Sequence, residues 1–579
     1  MNIKLLPYQA LILAILMGFA AAPLSAQTPF DTGVSEEAAQ INEQLYVFAD
    51  RSIYAVDETL YFMADHRVSG LSGEHSWSSV LYVELIASNG KALAQGKYQL
   101  SGGRAEGSLH IPTAALTGDY YLKCYTRWMR NRDPNSFSYT ALKIINPYRS
   151  EVVALPDTET SADGFHKPVY KEGVLECSTA SASYQSGQEV VLQIKGASTS
   201  YLDHLSCCVT VVPEGAIDLA GGQYNIASPD ENEEFRVSFL PDMGSNVSIS
   251  GTVVGPDQEP VPYTTLHFSL LGEIPDYFAS MSDEHGRFVL STPAGVGERK
   301  EFFVTPEQEE GSTLEVRIDQ EYDSRELSLP VEPFQLSDAE MDVARKIALN
   351  IQLSKSFMPE NFILDEPLRE EYSEGDRMPF YGTMGESLLV DDYVRLPNLE
   401  EIFINLMPEV QFYKKAGKNK IRILSENNSI GVYNPLIMID HISVFDHEAL
   451  LALSPEKIQR IDLINDVYLK GNVTFGGVLA IHSRKGDMAG IDLPLSSYFF
   501  DYETFYPERP PVDPLPVLKE RVPDTRNTLF WSGNLQLQQD KLLEIPFAAP
   551  SSSGIYVVLV RGVLPTGEIY AVSTSFSVE

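Results

Sequence analysis

The chain has 579 residues, too many for one hydrophobic core, so several domains are expected. It sets 43 Lys and Arg against 80 Asp and Glu, a formal net charge of -37 that argues against nucleic acid and against direct adhesion to an anionic lipid surface. The 39 Gly and 36 Pro are spread along the chain, as in a multi-domain β protein, not gathered into a tail.

Residues 1–26 have the pattern of a secretory signal peptide: Lys4 gives the positive charge, Ala10 to Ala22 the apolar stretch, and Leu24-Ser25-Ala26 a small-residue cleavage site. No cysteine stands near that site, so no lipoprotein-type anchor is expected. No later apolar run approaches the ~18 residues of a membrane span. The expectation is an exported protein of the periplasm or cell surface, peripherally associated with the outer membrane and with no transmembrane span of its own. Its four cysteines, Cys124, Cys177, Cys207 and Cys208, then meet oxidising surroundings. Cys207 and Cys208 are neighbours in a strand-like run and point to opposite faces. Either could approach Cys177, and buried free thiols are an equal alternative.

Residues 46–148 alternate strand-like runs with turns, among them ETLYFMADHRV, SVLYVELIAS and TGDYYLKCYTRWM, which is a β-sandwich pattern. Glu58, Asn89-Gly90, Gly107, Ile111-Pro112, Gly118, Tyr120, Tyr125 and Thr126 give it a resemblance to the macroglobulin-type domain of exported bacterial proteins. Protease trapping by such proteins needs a thioester, and Cys177 is followed by Ser178-Thr179-Ala180, not by that motif. A spacer or binding module is expected. Residues 168–243 repeat the β character and are read as a second β-sandwich, bounded by the polar stretch 155–167. Residues 246–332 carry Ile249, Gly251, Val253, Pro260, Pro262, Asp283, Gly286, Phe288 and Leu290 in a pattern that resembles the carboxypeptidase regulatory-like β-sandwich, an accessory module without a catalyst.

A helix is expected over 336–357. Ser337 and Glu340 form a capping box, and Val343, Ala344, Ile347, Ala348 and Ile351 recur on one face, favouring packing within the chain. Residues 375–490 then hold three apolar strands, Leu436–Ile439, Ile461–Ile464 and Val478–Ile481, with Ser454-Pro455 read as a helix start. Pro435, Asp440, Ile461, Gly476, Gly477, Ile481 and Gly486 give this stretch a resemblance to the plug domain of TonB-dependent outer-membrane receptors. The entry to it, Phe380-Tyr381-Gly382, Asp391-Asp392-Tyr393 and Glu400-Glu401-Ile402, fits the same resemblance. A receptor would continue into a barrel of about 22 strands, over ~220 residues. The residues after Asp487, with the run PERPPVDPLP among them, do not supply one. Residues 520–579 are read as a final small β-sandwich.

Catalytic, cofactor and metal constellations are not evident. His441 and His447, each preceded by an Asp (Asp440, Asp446), invite a metal reading, but their spacing of six fits no common zinc pattern and Asp440 has a better role closing its strand. The adjacent acids Asp391-Asp392 and Glu400-Glu401 cannot face each other across a cleft, and the cluster 230–234 offers no calcium ladder. The fold class is therefore mainly β and multi-domain, several β-sandwiches plus a small α+β plug-like domain. The expected function is non-enzymatic, through contact with an outer-membrane β-barrel protein or envelope complex: the plug-like domain would engage or cap a transporter or secretion translocon made by another chain. The alternative is an extracellular adhesin-like protein for glycan or host protein, for which Trp77, Trp128 and Trp531 are thin as stacking platforms.

Overall fold

The structure is a computed structural model, and it describes residues 38–579 apart from 71–76, 155–164, 167, 197–204, 219–222, 227–236, 273–274, 296–298, 309–312, 326–328, 331–332, 358–378, 383–384, 416, 426–427, 494–495, 508–511, 513–522 and 539–540. The signal-peptide reading, the acidic cluster 230–234 and most of the proline-rich run lie outside the described residues.

The first sandwich pairs a three-stranded sheet (Asn42–Ala49, Thr59–Ser69, Arg104–His110) with a larger one built on Ala92–Gln99, Val80–Ala87, Gly118–Thr126 and Ser138–Ile145. The strand Val80–Ala87 is buried along its whole length, which is why SVLYVELIA is nearly continuous in apolar residues. Gln223–Ile226 and Phe165–His166, from later in the chain, extend the larger sheet at its edge.

The segments 168–243 and 520–579, expected as two sandwiches, form one. Leu175–Thr179 and Glu189–Gly196 share a sheet with Leu543–Ala548. In the facing sheet, Leu205–Pro213 lies between Gly554–Val563 and Phe530–Leu537, with Val209 opposite Val560 on one side and Ser532 on the other. Neither segment holds enough strands to cover its own apolar face, and their pooled side chains make a single core that includes Val190, Leu192, Val211, Phe547, Val558 and Phe576.

The third sandwich repeats the device. Its sheets are Arg287–Pro293, Asn246–Val254 and Glu315–Ile318 against Asp276–Met281, Thr265–Leu271 and Arg299–Pro306, and the latter sheet gains Tyr498–Glu503 from beyond the α+β unit. The chain thus opens the second sandwich, opens the third inside it, inserts the α+β unit inside that, and closes them in reverse order.

The units are packed together. One core runs without a break from the first sandwich into the third, and Tyr82 there donates to Asp242 at 2.9 Å while Arg127 donates to the Ser248 carbonyl at 3.0 Å. Tyr46, Phe48 and Met63 of the first meet Cys208, Trp531 and Val563 of the second, where Thr528 donates to the buried Asp50 carboxylate at 2.6 Å. The helix Asp338–Phe357 spans the same junction. Val343, Ala344, Ile347 and Ile351 pack on Ile53 and Ala55 of one unit and on Val212 and Ala216 of the other, and the capping box closes through Ser337 N–H to Glu340 at 2.8 Å. All four cysteines are free; Cys207 faces the second sandwich's core and Cys208 the junction.

Candidate functional site

The α+β unit carries every residue of the plug-like pattern. Its five-stranded sheet runs in the order Glu386–Leu389, Ile458–Ile464, Val478–Ser483, Leu436–Ile439, Ile442–Ser443; only the Leu436–Ile439 and Val478–Ser483 pair is parallel. Ile461 and Ile481 lie opposite each other in register, both buried. Toward one side Ile437, Ile439, Leu463 and Leu479 share a core with Leu399, Ile402 and Phe403 of the helix Leu399–Leu406, which Asn398 caps by accepting from Glu401 N–H at 3.0 Å. Toward the other, Leu436, Met438, Val478 and Ala480 meet Tyr277 and Ala279 of the third sandwich. Both faces are covered, so strands of unbroken apolar character are the expected sequence.

The turns explain the remaining motif residues. Pro435 stands immediately before its strand Leu436–Ile439, where a missing N–H costs no ladder bond. Asp440 and His441 turn the chain through the left-handed region, with φ of 47° and 67°. The Asp440 carboxylate then accepts from Ser483 N–H at 2.7 Å, Ser483 Oγ at 2.5 Å and Met488 N–H at 2.8 Å, tying down the loop that holds Gly486. A Cβ on Gly476 would fall 2.3 Å from the Tyr433 carbonyl and 2.5 Å from that of Ile430, and Gly477 has a φ of 93°. These positions are demanded by backbone geometry.

One expectation changes in detail. The helix placed after Ser454-Pro455 is a single 3-10 turn, Pro455–Lys457, because the strand beginning at Ile458 follows at once; the short helix lies earlier, at His447–Leu451, capped by Asp446. His447 is not paired with His441. Its Nδ1 accepts from Ile421 N–H at 2.9 Å, and burial, with the Lys420 ammonium nearby, lowers its pKa to about 4. His441 is half-buried beside His482 and is lowered to about 4 by burial and by that second imidazole. Among the described residues no group of three metal-ligating side chains converges.

A polar centre escaped the sequence reading. Asp462, buried in an apolar strand, accepts from Tyr381 Oη at 2.6 Å, Ser387 Oγ at 2.7 Å and His482 Nε2 at 3.0 Å, with Arg460 Nε 3.1 Å away. Burial alone would raise its pKa, but these donors outweigh it and hold the carboxyl below the usual range. Ser387 and His482 sit on different oxygens of the same carboxylate, so serine and imidazole form no nucleophile pair. The centre fastens the Phe380-Tyr381-Gly382 segment and the edge strand to the sheet. An aspartate amid Ile461, Leu463 and Ile464 was its only signal.

In the hairpin Val410–Lys415 and Lys418–Ile423, whose second strand is legible in the sequence after the turn at Gly417, it is the charge that went unread: the two-stranded ribbon carries Lys414, Lys415, Lys418, Lys420 and Arg422 and no acidic residue. The signal was a run of one sign in a chain of the other.

No family model matches this chain, and no curated protein does. Among solved structures it is similar to a methylamine-reacted alpha-2-macroglobulin of Salmonella, at 8% identity and a TM-score of 0.21, over 93% of this chain and 39% of that one. Escherichia coli alpha-2-macroglobulin activated by porcine elastase stands at 11% and 0.23, over 93% and 44%. Dimeric latent PorU of Porphyromonas gingivalis stands at 9% and 0.14, over 48% and 34%. The likeness is loose. The chain spans about two fifths of the length of the macroglobulins it matches.

Proposed function

We propose that the protein is a non-enzymatic cell-envelope protein that works by protein–protein contact, with the α+β unit as its docking end. One observation carries this reading. Of the 24 large apolar side chains left exposed among the described residues, 11 fall within 386–493, including Val394 at 87%, Val432 at 78% and Ile404 at 56%. A unit that leaves this large a share of the exposed apolar side chains in water is the candidate docking end, since adjoining apolar side chains at a surface mark interaction sites.

By its plug-like resemblance the natural partner is an outer-membrane barrel of another chain, a transporter or secretion translocon. Capping the mouth suits the geometry better than filling the lumen. The unit is held to the third sandwich by an apolar junction and by Ser269 Oγ donating to the His441 carbonyl at 2.7 Å, so it would have to carry that sandwich along.

The test is photo-crosslinking in intact cells from positions 394 and 432, with positions 542 and 555 of the second sandwich as controls. A barrel protein captured from the first pair and not from the second supports the proposal. Equal capture from both pairs, or none from positions 394 and 432, sinks it.

A further inference from the structure

The basic ribbon points to a second contact of a different chemistry. Residues 410–423 hold five cations and no carboxylate, in a chain whose net charge is -37. The ribbon's register places Lys415 directly opposite Lys418, and Tyr413 opposite Lys420. Like charges in direct cross-strand pairs destabilise a ribbon, so the arrangement is at odds with stability alone. Lys414, Lys415, Lys418 and Arg422 are exposed, and Tyr413 is 39% exposed among them. Phe412 and Ile421 lie on the face opposite Tyr413, Lys415, Lys418 and Arg422, toward the unit's core, and Lys414 shares that face beyond them.

The two edges of the ribbon differ. Along Lys418–Ile423 the edge is closed: Ile421 N–H donates to His447 Nδ1 at 2.9 Å and Asn419 N–H to Glu448 at 3.1 Å. Along Val410–Lys415 no further strand is paired among the described residues. Lys414 and Lys415 are adjacent on that open edge, so their side chains leave on opposite faces of the ribbon. A flat anionic lipid surface could meet the face that carries Lys415, Lys418, Lys420 and Arg422, but it would leave the open edge unpaired and is repelled by the chain's net charge of -37. A strand lying alongside Val410–Lys415 would itself alternate, and its acidic side chains would reach cations on both. Lysines on an open edge repel basic strands and copies of themselves, while an acidic strand is admitted.

We infer that the edge Val410–Lys415 takes up an extended acidic polypeptide segment of a partner protein as an added strand, with main-chain hydrogen bonds supplying affinity and the flanking cations supplying selectivity. This holds whether or not the unit also caps a barrel.

The test uses the full chain and a fluorescein-labelled twelve-residue peptide of Glu-Glu-Thr-Thr repeats, whose adjacent Glu side chains leave on opposite faces, read by anisotropy. Binding is expected, weakened about tenfold by Lys414→Glu with Lys415→Glu, in keeping with the loss of two exposed ion pairs. A peptide methylated on every backbone amide is expected to lose binding, because neither of its edges can complete the ladder. Lys195→Glu with Lys541→Glu, both exposed on the second sandwich, is the control for net charge, and the thermal midpoints of both double variants should not fall below that of wild type. The inference is overturned by absence of binding, by equal binding of the methylated peptide, by an equal effect of Lys195→Glu with Lys541→Glu, or by phosphatidylglycerol vesicles capturing the protein where the acidic peptide does not.

Discussion

The Nδ1 of His447 accepts the backbone N–H of Ile421 at 2.9 Å, and this contact welds the edge of the basic ribbon to the short helix His447–Leu451. An acceptor imidazole must be unprotonated at that nitrogen, so the contact belongs to the neutral form.

Stability therefore depends on pH in a stated direction. Burial, aided by Lys420, lowers His447 to about 4; burial and His482 lower His441 to about 4; burial lowers His267 to about 3. Unfolded histidines titrate near ~6.5, so between that value and about 4 the unfolded chain binds more protons than the folded one. The stabilisation is fully present above pH ~6.5 and is lost as pH falls toward 4. Thermal midpoints measured between pH 7.5 and 4.5 should fall, and His447→Gln should make that fall shallower. A midpoint that does not change over this range would contradict the assignment.

Asp440 accepts three hydrogen bonds as a carboxylate, two from the backbone of its target loop. Asp440→Ala should cost about 2–3 kcal/mol in denaturant unfolding, the scale of bonds to a charged group left without their acceptor. Asp440→Asn keeps one acceptor oxygen and should lose less. Equal stability of all three proteins would show that the loop does not depend on this clamp.

The glycines of the α+β unit separate two kinds of demand. Gly476→Ala puts a methyl into two backbone carbonyls and should prevent that unit from folding. Gly486 also has a positive φ, of 64°, but a Cβ there meets open space, so Gly486→Ala should cost only about 1 kcal/mol. Circular dichroism and limited proteolysis of the two variants would distinguish these outcomes.

Removing residues 526–579 tests the nested topology. An independent terminal domain could be cut away without harm. Here the cut removes Phe530–Leu537, Leu543–Ala548, Gly554–Val563 and Ile569–Val578, leaving Leu205–Pro213 without either neighbour. The truncated chain should become protease-sensitive between residues 168 and 218. Resistance there would mean that the earlier segment is self-sufficient.

Much of this was legible because it is local. The plug-like motif residues are fixed by turns, close approaches and in-register apolar pairs within one short stretch, and the capping box of Ser337 and Glu340 is read from four consecutive positions. Strand partners far along the chain leave no such trace. An alternating run such as that at Glu189–Gly196 looks the same whether its neighbour is ten residues away or in the C-terminal segment, so two half-sandwiches passed for two whole ones. A hint was present in LSCCVTVVP: a run apolar on both sides is covered on both sides, and the segment 168–243 alone lacks the strands to do that.

The closing of Leu205–Pro213 between two late strands has a consequence for biogenesis. As the polypeptide is made from its amino end, that strand emerges early and its final neighbours emerge last. Through most of synthesis it waits as a sticky, half-finished template, a slow and aggregation-exposed kind of folding. A chain of this design leans on chaperones that shield nascent β-structure, and depleting them should harm its yield more than that of a protein whose domains are completed one after another.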